Sequence, residues 1–527
     1  MPVSESDVAA IVARTARSYD ALPYGSDPFP FTHPSQLGAV ARLFGLDVAP
    51  PAEARTLELG CASGGNIIPM AARLPGATVV GIDLSSTQVA TGRARIAALG
   101  LTNIELRCED FSALARAVEA PFDYIVCHGV YSWVPAPVRD AILALCRDKL
   151  SPRGVALVSY NVLPGWRLLQ ALRDCFLLCA PPDADPRQRV ARVRALLALM
   201  PQACPEPGPY RELLARDAER LAKSSDDYIA HEFLDDVNDP CTFRDFVDAA
   251  RRHGLAFLAE TSVPTMIPNN YPAATAEAVR QIGGGNLIGI EQAIDMATGR
   301  AFRRTLLVAA GRETQIDRRL TNARMEGLHF IGSDTLALTH DAVGATLADQ
   351  SGRRLHTDSA PFMAALARFV AAFPASVSVD DLVAAMPAGM RNADGRALAR
   401  EGLLNMVVNG LATPCTDPVP AVAQPGPRPV ACPLARSDAA RGAATTVNLR
   451  HERVDLGALA QIVLPLLDGS RDAGAIAAAV AETARAGGLA FTCDGAAVES
   501  TADRLKIAAE NLGALLPALA RAALLVG

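Results

Sequence analysis

The sequence predicts an α/β fold whose first half is built on one doubly wound sheet of seven strands. Three observations carry this. From Thr56 to Val162, apolar runs of strand length alternate with stretches of helix length, and the connections are short. A glycine-rich turn, GCASGGN at 60–66, joins the first run to the first helix. Two further strand-like runs, LAFLAETSV at 255–263 and AFRRTLLVAA at 301–310, follow a long helical stretch and complete the same sheet.

Residues 1–50 read as a helical lead-in that folds over the site as a lid. Asp7 to Arg17 is amphipathic. The phrase YDALPYGSDPFPFTHPSQL (19–37) holds four prolines, which break helix and central strand alike. A helix restarts near Ser35 and stops at Gly45. TLELG (56–60) is a buried strand, IIPMAARL (67–74) a helix, ATVVGIDLS (77–85) a second strand, and TQVATGRARIAALG (87–100) a helix with a glycine stop. IELRCEDF (104–111), FDYIVCHG (122–129) and VALVSYNV (155–162) are the next three strands. Such alternation gives a parallel sheet. Residues 166–252 are mostly helical, with loops at 180–186 and 201–209, and read as an insertion into a domain spanning 51–311. In a middle unit, 312–413, LHFIGSDTLALTH (328–340) reads as a hairpin. Three helices and a small strand follow, in a winged-helix-like set. The Pro/Ala/Gly-rich stretch 414–445 reads as an extended linker. Residues 446–527 form a mainly helical C-terminal domain.

Composition narrows the class. The chain has 527 residues, more than one ordinary core accommodates, and half of them are apolar. A net charge of −6 argues against broad nucleic-acid or anionic-membrane binding. The N-terminus has neither the basic nor the apolar region of a signal peptide. The apolar stretch 512–527 is interrupted by Arg521 and is too short to span a bilayer. Eleven cysteines with no CxxC pair and no Cys/His cluster point to buried thiols in a reducing cytoplasm and to no metal site.

Chemistry concentrates at the ends of the first four strands. Glu58, Gly60, Cys61, Gly64 and Asn66 lie in an ExGxxxG turn where strand one meets its helix. Glycines there allow unusual backbone angles and close approach of a ligand, and ligands of open α/β sheets sit at the carboxyl ends of strands. A dinucleotide site uses GxGxxG with pyrophosphate at the helix N-terminus. The spacing here suits a nucleoside with an amino-acid tail instead. Asp83, with Leu84, ends strand two, 25 residues after Glu58, where a carboxylate accepts from ribose hydroxyls. Asp110 follows strand three and can accept from an adenine amino group, with Phe111 against the ring. Each acid taken alone also reads as a solvated loop residue or helix cap, Asp83 less so than Asp110. Their order at successive strand ends argues for a site.

The succession LELGCASGG, VVGID, CEDF and FDYIVCHG resembles the class I methyltransferases over residues 50–165. The resemblance implies a Rossmann-like fold and S-adenosylmethionine as methyl donor, bound by the residues just named together with His128. One departure stands out: Ala62 occupies the middle of the usual glycine triplet. YDALPYGSDPFPFTHP, HGVYSWVP, SYNVLPGW and YIAHEFLDDVNDPCTFRDFV (228–247) resemble more narrowly a bacterial family that carries a methyltransferase regulatory domain. That family includes the rickettsial protein-lysine methyltransferases of outer membrane protein B. It implies an insertion used for dimerisation, a middle domain and a C-terminal domain. NLRHERVDLGALAQIVLPLLDG (448–469) is a fainter likeness in the tail.

The acceptor side rests on aromatic residues. Tyr131 and Trp133 follow strand four, and Tyr160, Asn161 and Trp166 follow strand five. Both tryptophans of the chain fall in these two loops. Tyr19 and Tyr24 lie in the lead-in. Electron-rich rings hold a cationic amine, but the tryptophans read equally well as packing that closes the sheet. His128 either lines the site, acts as a base, or is a satisfied structural histidine. His33 and His231 are lesser candidates. Glu232, Asp235, Asp236 and Asp239 attract a lysine-bearing substrate or are a solvated helix end. A protein presenting lysine is the expected substrate, since some 200 residues beyond the catalytic domain exceed what a compact acceptor needs. The alternatives are a small-molecule or cell-envelope-precursor methyltransferase and a non-catalytic donor-binding protein.

Overall fold

The computed structural model of this chain places seven strands in one sheet. They are β1 (Arg55–Leu59), β2 (Thr78–Asp83), β3 (Ile104–Cys108), β4 (Phe122–Cys127), β5 (Leu150–Asn161), β6 (Leu255–Glu260) and β7 (Phe302–Ala309). Their order across the sheet is 3-2-1-4-5-7-6. The structure describes residues 5–111, 114, 120–182, 184–203, 208–486, 488–493, 496–497 and 500–527. Two units are distinguished. The first holds Met1–Asp27, Asp47–Ala71 and Pro75–Ile316, and the second holds Pro28–Leu46, Ala72–Leu74 and Asp317–Gly527.

In the first unit, β1 is central, with Leu57 opposite Val80 on one side and Ile125 on the other. Strands β1 to β5 are mutually parallel, as the alternation predicts. Helix α1 (Glu5–Ala21) forms the lead-in, and α2 (Pro34–Leu43) belongs to the second unit. Helices α3 (Ile67–Arg73) and α4 (Ser86–Leu99) follow β1 and β2. The Ser85 hydroxyl accepts from the Gln88 N–H to start α4, and Gly100 at φ 65° ends it. Helix α5 (Ala136–Lys149) links β4 to β5.

The insertion comprises α6 (Trp166–Cys179), α7 (Pro186–Ala203), α8 (Pro209–Ala222) and α9 (Asp226–Phe233) around its own core of Leu172, Phe176, Val193, Leu221 and Phe233. Of the two expected loops, 201–209 is shortened because α7 runs to Ala203; positions 183 and 204–207 lie outside the described residues. The helical run to Arg252 is not all insertion. Helix α10 (Phe243–Arg252) packs against β6 through buried Phe243, Phe246, Val247 and Ala250. Strand β6 and β7 complete the sheet as expected, but β7 is antiparallel to both neighbours. The reason is its connection. Two helices, α11 (Ala273–Ile282) and α12 (Leu287–Thr298), lie between β6 and β7. One crossover helix returns a chain to the end where strands start, and the second carries it back again.

A buried ion cluster fixes this last part of the sheet. The Arg303 guanidinium on β7 binds Glu260 on β6 at 2.9 Å and Glu291 and Asp295 on α12 at 3.0 and 2.8 Å. It also lies over the Phe243 ring at 3.9 Å. Arg300 adds a second cation, 3.6 Å from Glu291 and 3.4 Å from Asp295. Three acids thus face two arginines. Burial pushes Glu291 up to about 7 and raises Asp295 as well.

In the second unit, β8 (His329–Ile331) lies between β12 (Val377–Ser378) and β13 (Thr413–Cys415). A separate meander joins β9 (Ala337–His340), β10 (Ala345–Ala348) and β11 (Arg354–Thr357). The expected hairpin over 328–340 therefore does not form. Its first half is a buried central strand and its second half an exposed edge, so the two belong to different sheets. Helices α13 (Ala360–Ala372), α14 (Val379–Ala385) and α15 (Ala393–Val408) accompany β8, β12 and β13. Ser378 and Asp381 cap α14 reciprocally. The expected linker 414–445 is only partly extended. It contains α16 (Pro433–Ala440), whose Leu434, Ala435 and Ala439 are buried, with Pro433 pre-set for the first turn. The paired β14 (Thr445–Val447) and β15 (Arg453–Asp455) precede α17 (Ala458–Val463), α18 (Ala473–Arg485) and α19 (Thr501–Arg521), with β16 (Thr492–Cys493) and β17 (Ala496–Ala497) between the last two. Val463, Leu467, Ile476, Val480, Leu512 and Leu516 share one core. Among the described residues, no helix is long and apolar enough to cross a membrane.

Removing the Arg303 guanidinium takes away the arginine of Glu260 and leaves Arg300 alone against Glu291 and Asp295. Arg303→Met is expected to destabilise the first unit by about 3–5 kcal/mol. Urea denaturation followed by tryptophan fluorescence reads this unit, because Trp133 and Trp166 both lie in it. An unchanged midpoint would mean that the cluster contributes nothing to stability.

Candidate functional site

The carboxyl ends of β1, β2 and β3 converge on Asp83. Its Oδ2 accepts from the Ala62 N–H and its Oδ1 from the Ser85 N–H, each at 2.8 Å. The Gly60 N–H donates to the Ile82 carbonyl at 2.8 Å, and the Glu109 N–H to the Asp83 carbonyl at 3.1 Å. These bonds bring the glycine turn, Asp83 with half-buried Leu84, and Asp110 with Phe111 to one edge, as the sequence spacing predicts. Asp110 is exposed and Phe111 half-buried. Burial raises the Asp83 carboxyl against the opposing pull of its backbone donors.

The turn itself is tightly conditioned. Gly60 and Gly64 sit at φ 77° and 78°, and Ala62 sits at φ 49°. Ala62 explains the departure from a glycine triplet. A methyl in the left-handed region costs about 1 kcal/mol, and the Asp83 bond to its N–H offsets that cost. Glu58 is buried, with Oε1 accepting from Asn66 Nδ2 at 2.7 Å and Oε2 without a partner. Burial pushes its carboxyl up to about 8. Burial likewise holds the Cys61 thiol well above its usual range, so Cys61 contributes a protonated, unreactive wall.

The lead-in closes over this turn through residues that the sequence did not single out. Asp20 Oδ1 accepts from the Ser85 hydroxyl at 2.6 Å and the Thr87 N–H at 3.2 Å. The Ser26 hydroxyl accepts from the Gly65 N–H at 2.7 Å. A Cβ on Gly65 would lie 1.8 Å from the Ser26 carbonyl oxygen, so only glycine admits this approach. Tyr19 lies tilted against His231 at 4.0 Å between ring centroids, and Tyr24 meets it edge-on at 5.7 Å. His231 Nε2 pairs with the Leu22 carbonyl at 2.7 Å, and Asp227 accepts from the Gly25 N–H at 2.8 Å. His231 is therefore an anchor for the lead-in. The acid cluster is largely engaged in the same way: Asp236 pairs with Arg14 at 2.7 Å, and Asp239 pairs with Arg139. Burial pushes Glu232 up to about 7. His33 lies in the second unit, where its ring meets His451 at 5.2 Å.

On the opposite flank, His128 ends β4 with Nδ1 2.8 Å from the Ser159 hydroxyl. Burial lowers its pKa to about 3, with Arg304 adding to the effect. The ring is neutral at physiological pH and too weak a base to remove a proton from an ammonium. Tyr131 and Trp133 lie in a single 3₁₀ turn after β4. Tyr131 is buried, edge-on to Phe246 at 5.3 Å and to Tyr160 at 6.1 Å. Tyr160 stacks on Phe246 at 4.0 Å, and its hydroxyl shares a 3.1 Å bond with the Thr305 hydroxyl. That hydroxyl points into the interior, so Tyr160 serves the aromatic wall by packing rather than by its oxygen. Trp133 and Trp166 meet edge-on at 6.2 Å. Phe246 had no distinguishing sequence signal, since it reads as one apolar position of an amphipathic helix. Among the described residues, no group of three or more His, Cys, Asp or Glu is arranged to hold a metal ion.

Comparison with known proteins accords with this geometry. Residues 56–154 match the family described as "Methyltransferase domain", 225–309 the "Predicted methyltransferase regulatory domain", and 427–524 "PKMT, C-terminal winged helix domain". The last falls beyond 312–413, where the sequence suggested a winged-helix-like set. An uncharacterized Rickettsia prowazekii protein is 37% identical over 314 residues, 59% of this chain and 56% of its own length. A second protein of that organism is 33% identical over 242 residues, covering 46% of this chain and 96% of its own length. The fold matches PKMT2 from Rickettsia typhi with a TM-score of 0.83 at 24% identity, over 96% of this chain and 100% of that one. A structure of PKMT2 in complex with AdoHcy matches at 0.82.

Glu58 gives this edge a pH signature. Folding raises its pKa from the ordinary 4.5 to about 8. The folded chain thus keeps a proton that the unfolded chain releases. This contribution to stability is complete below about pH 4.5 and is lost as pH rises toward 8. Glu58→Gln keeps an oxygen for Asn66 and cannot ionise. It is expected to flatten the fall in unfolding midpoint between about pH 5 and 8, and parallel pH profiles for the two proteins would contradict this.

Proposed function

We propose that this chain, which belongs to the class I S-adenosylmethionine-dependent methyltransferases that carry a methyltransferase regulatory domain, transfers methyl groups to lysine side chains of a protein. The observation that carries the reading is that the nucleoside-shaped turn with Asp83 packs at Gly60 against Val130, the residue that leads into the aromatic turn Tyr131–Trp133. The likeness to PKMT2 supports the choice of acceptor class.

The residues present fit the donor. Glu58 keeps a buried oxygen with no partner, which leaves a hydrogen-bonding position for a polar group of the donor. The left-handed backbone at Gly60, Ala62 and Gly64 leaves room for close approach. S-adenosylmethionine supplies an electrophilic methyl on a sulfonium. In this reading Asp83 accepts from the ribose hydroxyls, Asp110 and Phe111 receive the adenine, and neutral His128 lines the amino-acid end. Tyr131, Trp133 and Trp166 wall an apolar approach for the acceptor. Desolvation there lowers the pKa of an incoming lysine from about 10.4 and favours the neutral amine that attacks. The lead-in, held by Asp20 and Ser26, excludes water.

Two further parts of the reading concern assembly and place. Leu168, Leu178 and Leu199 are exposed on α6 and α7, and they support pairing of two copies through the insertion. Nine free cysteines among the described residues fit the reducing cytoplasm.

Two experiments test this function. Tritiated donor incubated with host lysate is expected to label protein bands that yield methyl-lysine on hydrolysis. Label confined to extractable metabolites would move the acceptor to a small molecule, and donor binding without transfer would make the chain a non-catalytic binder. Asp83→Ala is expected to weaken donor binding by about 1–3 kcal/mol, measured by calorimetry. Unchanged affinity would remove Asp83 from the donor site.

A further inference from the structure

Beside the aromatic wall lie three side chains with polar atoms that are buried and unpartnered. They are Asn161 Nδ2, Trp166 Nε1, and both Nδ2 and Oδ1 of Asn238. Asn161 is 1% and Trp166 3% exposed. Leaving such a group unsatisfied costs on the order of 1–3 kcal/mol, and native structures keep few of them.

These groups are not scattered. The Asn161 N–H donates to the Ser132 hydroxyl at 2.9 Å, and the Asp239 N–H donates to the Ser132 carbonyl at 2.9 Å. The Cys241 N–H donates to the Asn161 carbonyl at 3.2 Å, and the Leu163 N–H to the Cys241 carbonyl at 3.0 Å. Three segments are thereby laced together at the carboxyl ends of β4 and β5, where open α/β sheets bind ligands. The segment bearing Asn238 is clamped from two sides. Arg139 of α5 holds the Asp239 carboxylate, and Arg173 of α6 holds the Asp235 carbonyl. The backbone on either side of Asn238 is therefore fixed.

The chemistry of the three side chains selects a ligand class. None is charged. Asn161 Nδ2 and Trp166 Nε1 only donate, whereas the Asn238 amide donates and accepts. A peptide group presents the complement: a carbonyl oxygen that takes two donors and an N–H that gives to a carboxamide oxygen. An alkylamine has no carbonyl to offer. We propose that Asn161, Trp166 and Asn238 form a subsite for the main-chain peptide group of the residue whose side chain enters the aromatic wall. The subsite rests on the methyl-transfer reading for its position, and it makes the acceptor a polypeptide rather than a free amine.

The test uses the full chain labelled with ¹⁵N-tryptophan in the presence of S-adenosylhomocysteine. It has two indole N–H signals, assigned by the one that Trp133→Phe removes. N-acetyl-lysine N′-methylamide, which carries two peptide groups, is titrated against n-butylamine, which carries the amine alone. The expected result is a saturable downfield shift of the Trp166 signal with the diamide and none with butylamine. Asn238→Leu is expected to weaken the diamide roughly tenfold, the loss of about one hydrogen bond, and to leave butylamine unchanged. Equal shifts with the two ligands, or no shift at the highest attainable diamide concentration, would overturn the subsite. The wild-type titration decides this even if Asn238→Leu does not fold. Methyl transfer to the diamide is scored separately. A shift without transfer keeps the subsite and counts against the lysine reading, and transfer without a shift does the reverse.

Discussion

The first unit depends on one buried guanidinium. Arg303 ties β7 to β6 and to α12 while lying on Phe243 of α10. A strand wedged antiparallel between β5 and β6 meets its neighbours only through backbone bonds and side chains. Arg303 adds a charge-assisted tie across them. Its partner Glu260 accepts from the Thr305 hydroxyl at 2.7 Å, and that hydroxyl shares a second bond with Tyr160. Tyr160 in turn stacks on Phe246, which faces Tyr131. The aromatic cluster of Tyr131, Tyr160 and Phe246 is thus backed, through direct contacts, by the ion cluster around Arg303.

The edge at Asp83 is organised on a different principle. Asp83 gathers backbone N–H groups from the turn after β1 and the start of α4, and Asp20 from the lead-in repeats the pattern one turn on. Backbone donors cannot swing away, so the two carboxylates fix loop shapes rather than merely neutralise charge. Glu58 is the exception, a buried acid with a spare oxygen and a raised pKa.

Much of this was legible in the sequence, for reasons that are local. TLELG, VVGID and FDYIVC declare buried parallel strands by unbroken apolar runs, and spacing places the glycine turn and Asp83 at the same edge of the sheet. What escaped was non-local. The antiparallel β7 follows from counting two helices, α11 and α12, in a stretch with weak periodicity. The hairpin expected at 328–340 failed because strand partners are chosen by burial, and β8 found two partners far along the chain. Helix α16 was hidden by prolines and alanines that resemble a linker, although Leu434, Ala435 and Ala439 fall on one face. Tyr160 looked like a polar aromatic for the site, but only its partner Thr305, 145 residues away, reveals that the hydroxyl faces inward. Asn238 carried no signal at all, since its significance lies in the bonds it does not make.

The turn after β1 also constrains how such a chain can drift. Ala62 shows that a methyl is tolerated where the backbone is left-handed but space is open. Gly65 has the reverse problem: the lead-in's Ser26 occupies the volume that any side chain would need. A substitution at 65 is therefore epistatic with the path of residues 24–27 and becomes admissible only in a background where that segment has already moved. Positions 62 and 65, three residues apart, thus sit under separate selection, one answerable to torsion and the other to a neighbour 39 residues upstream.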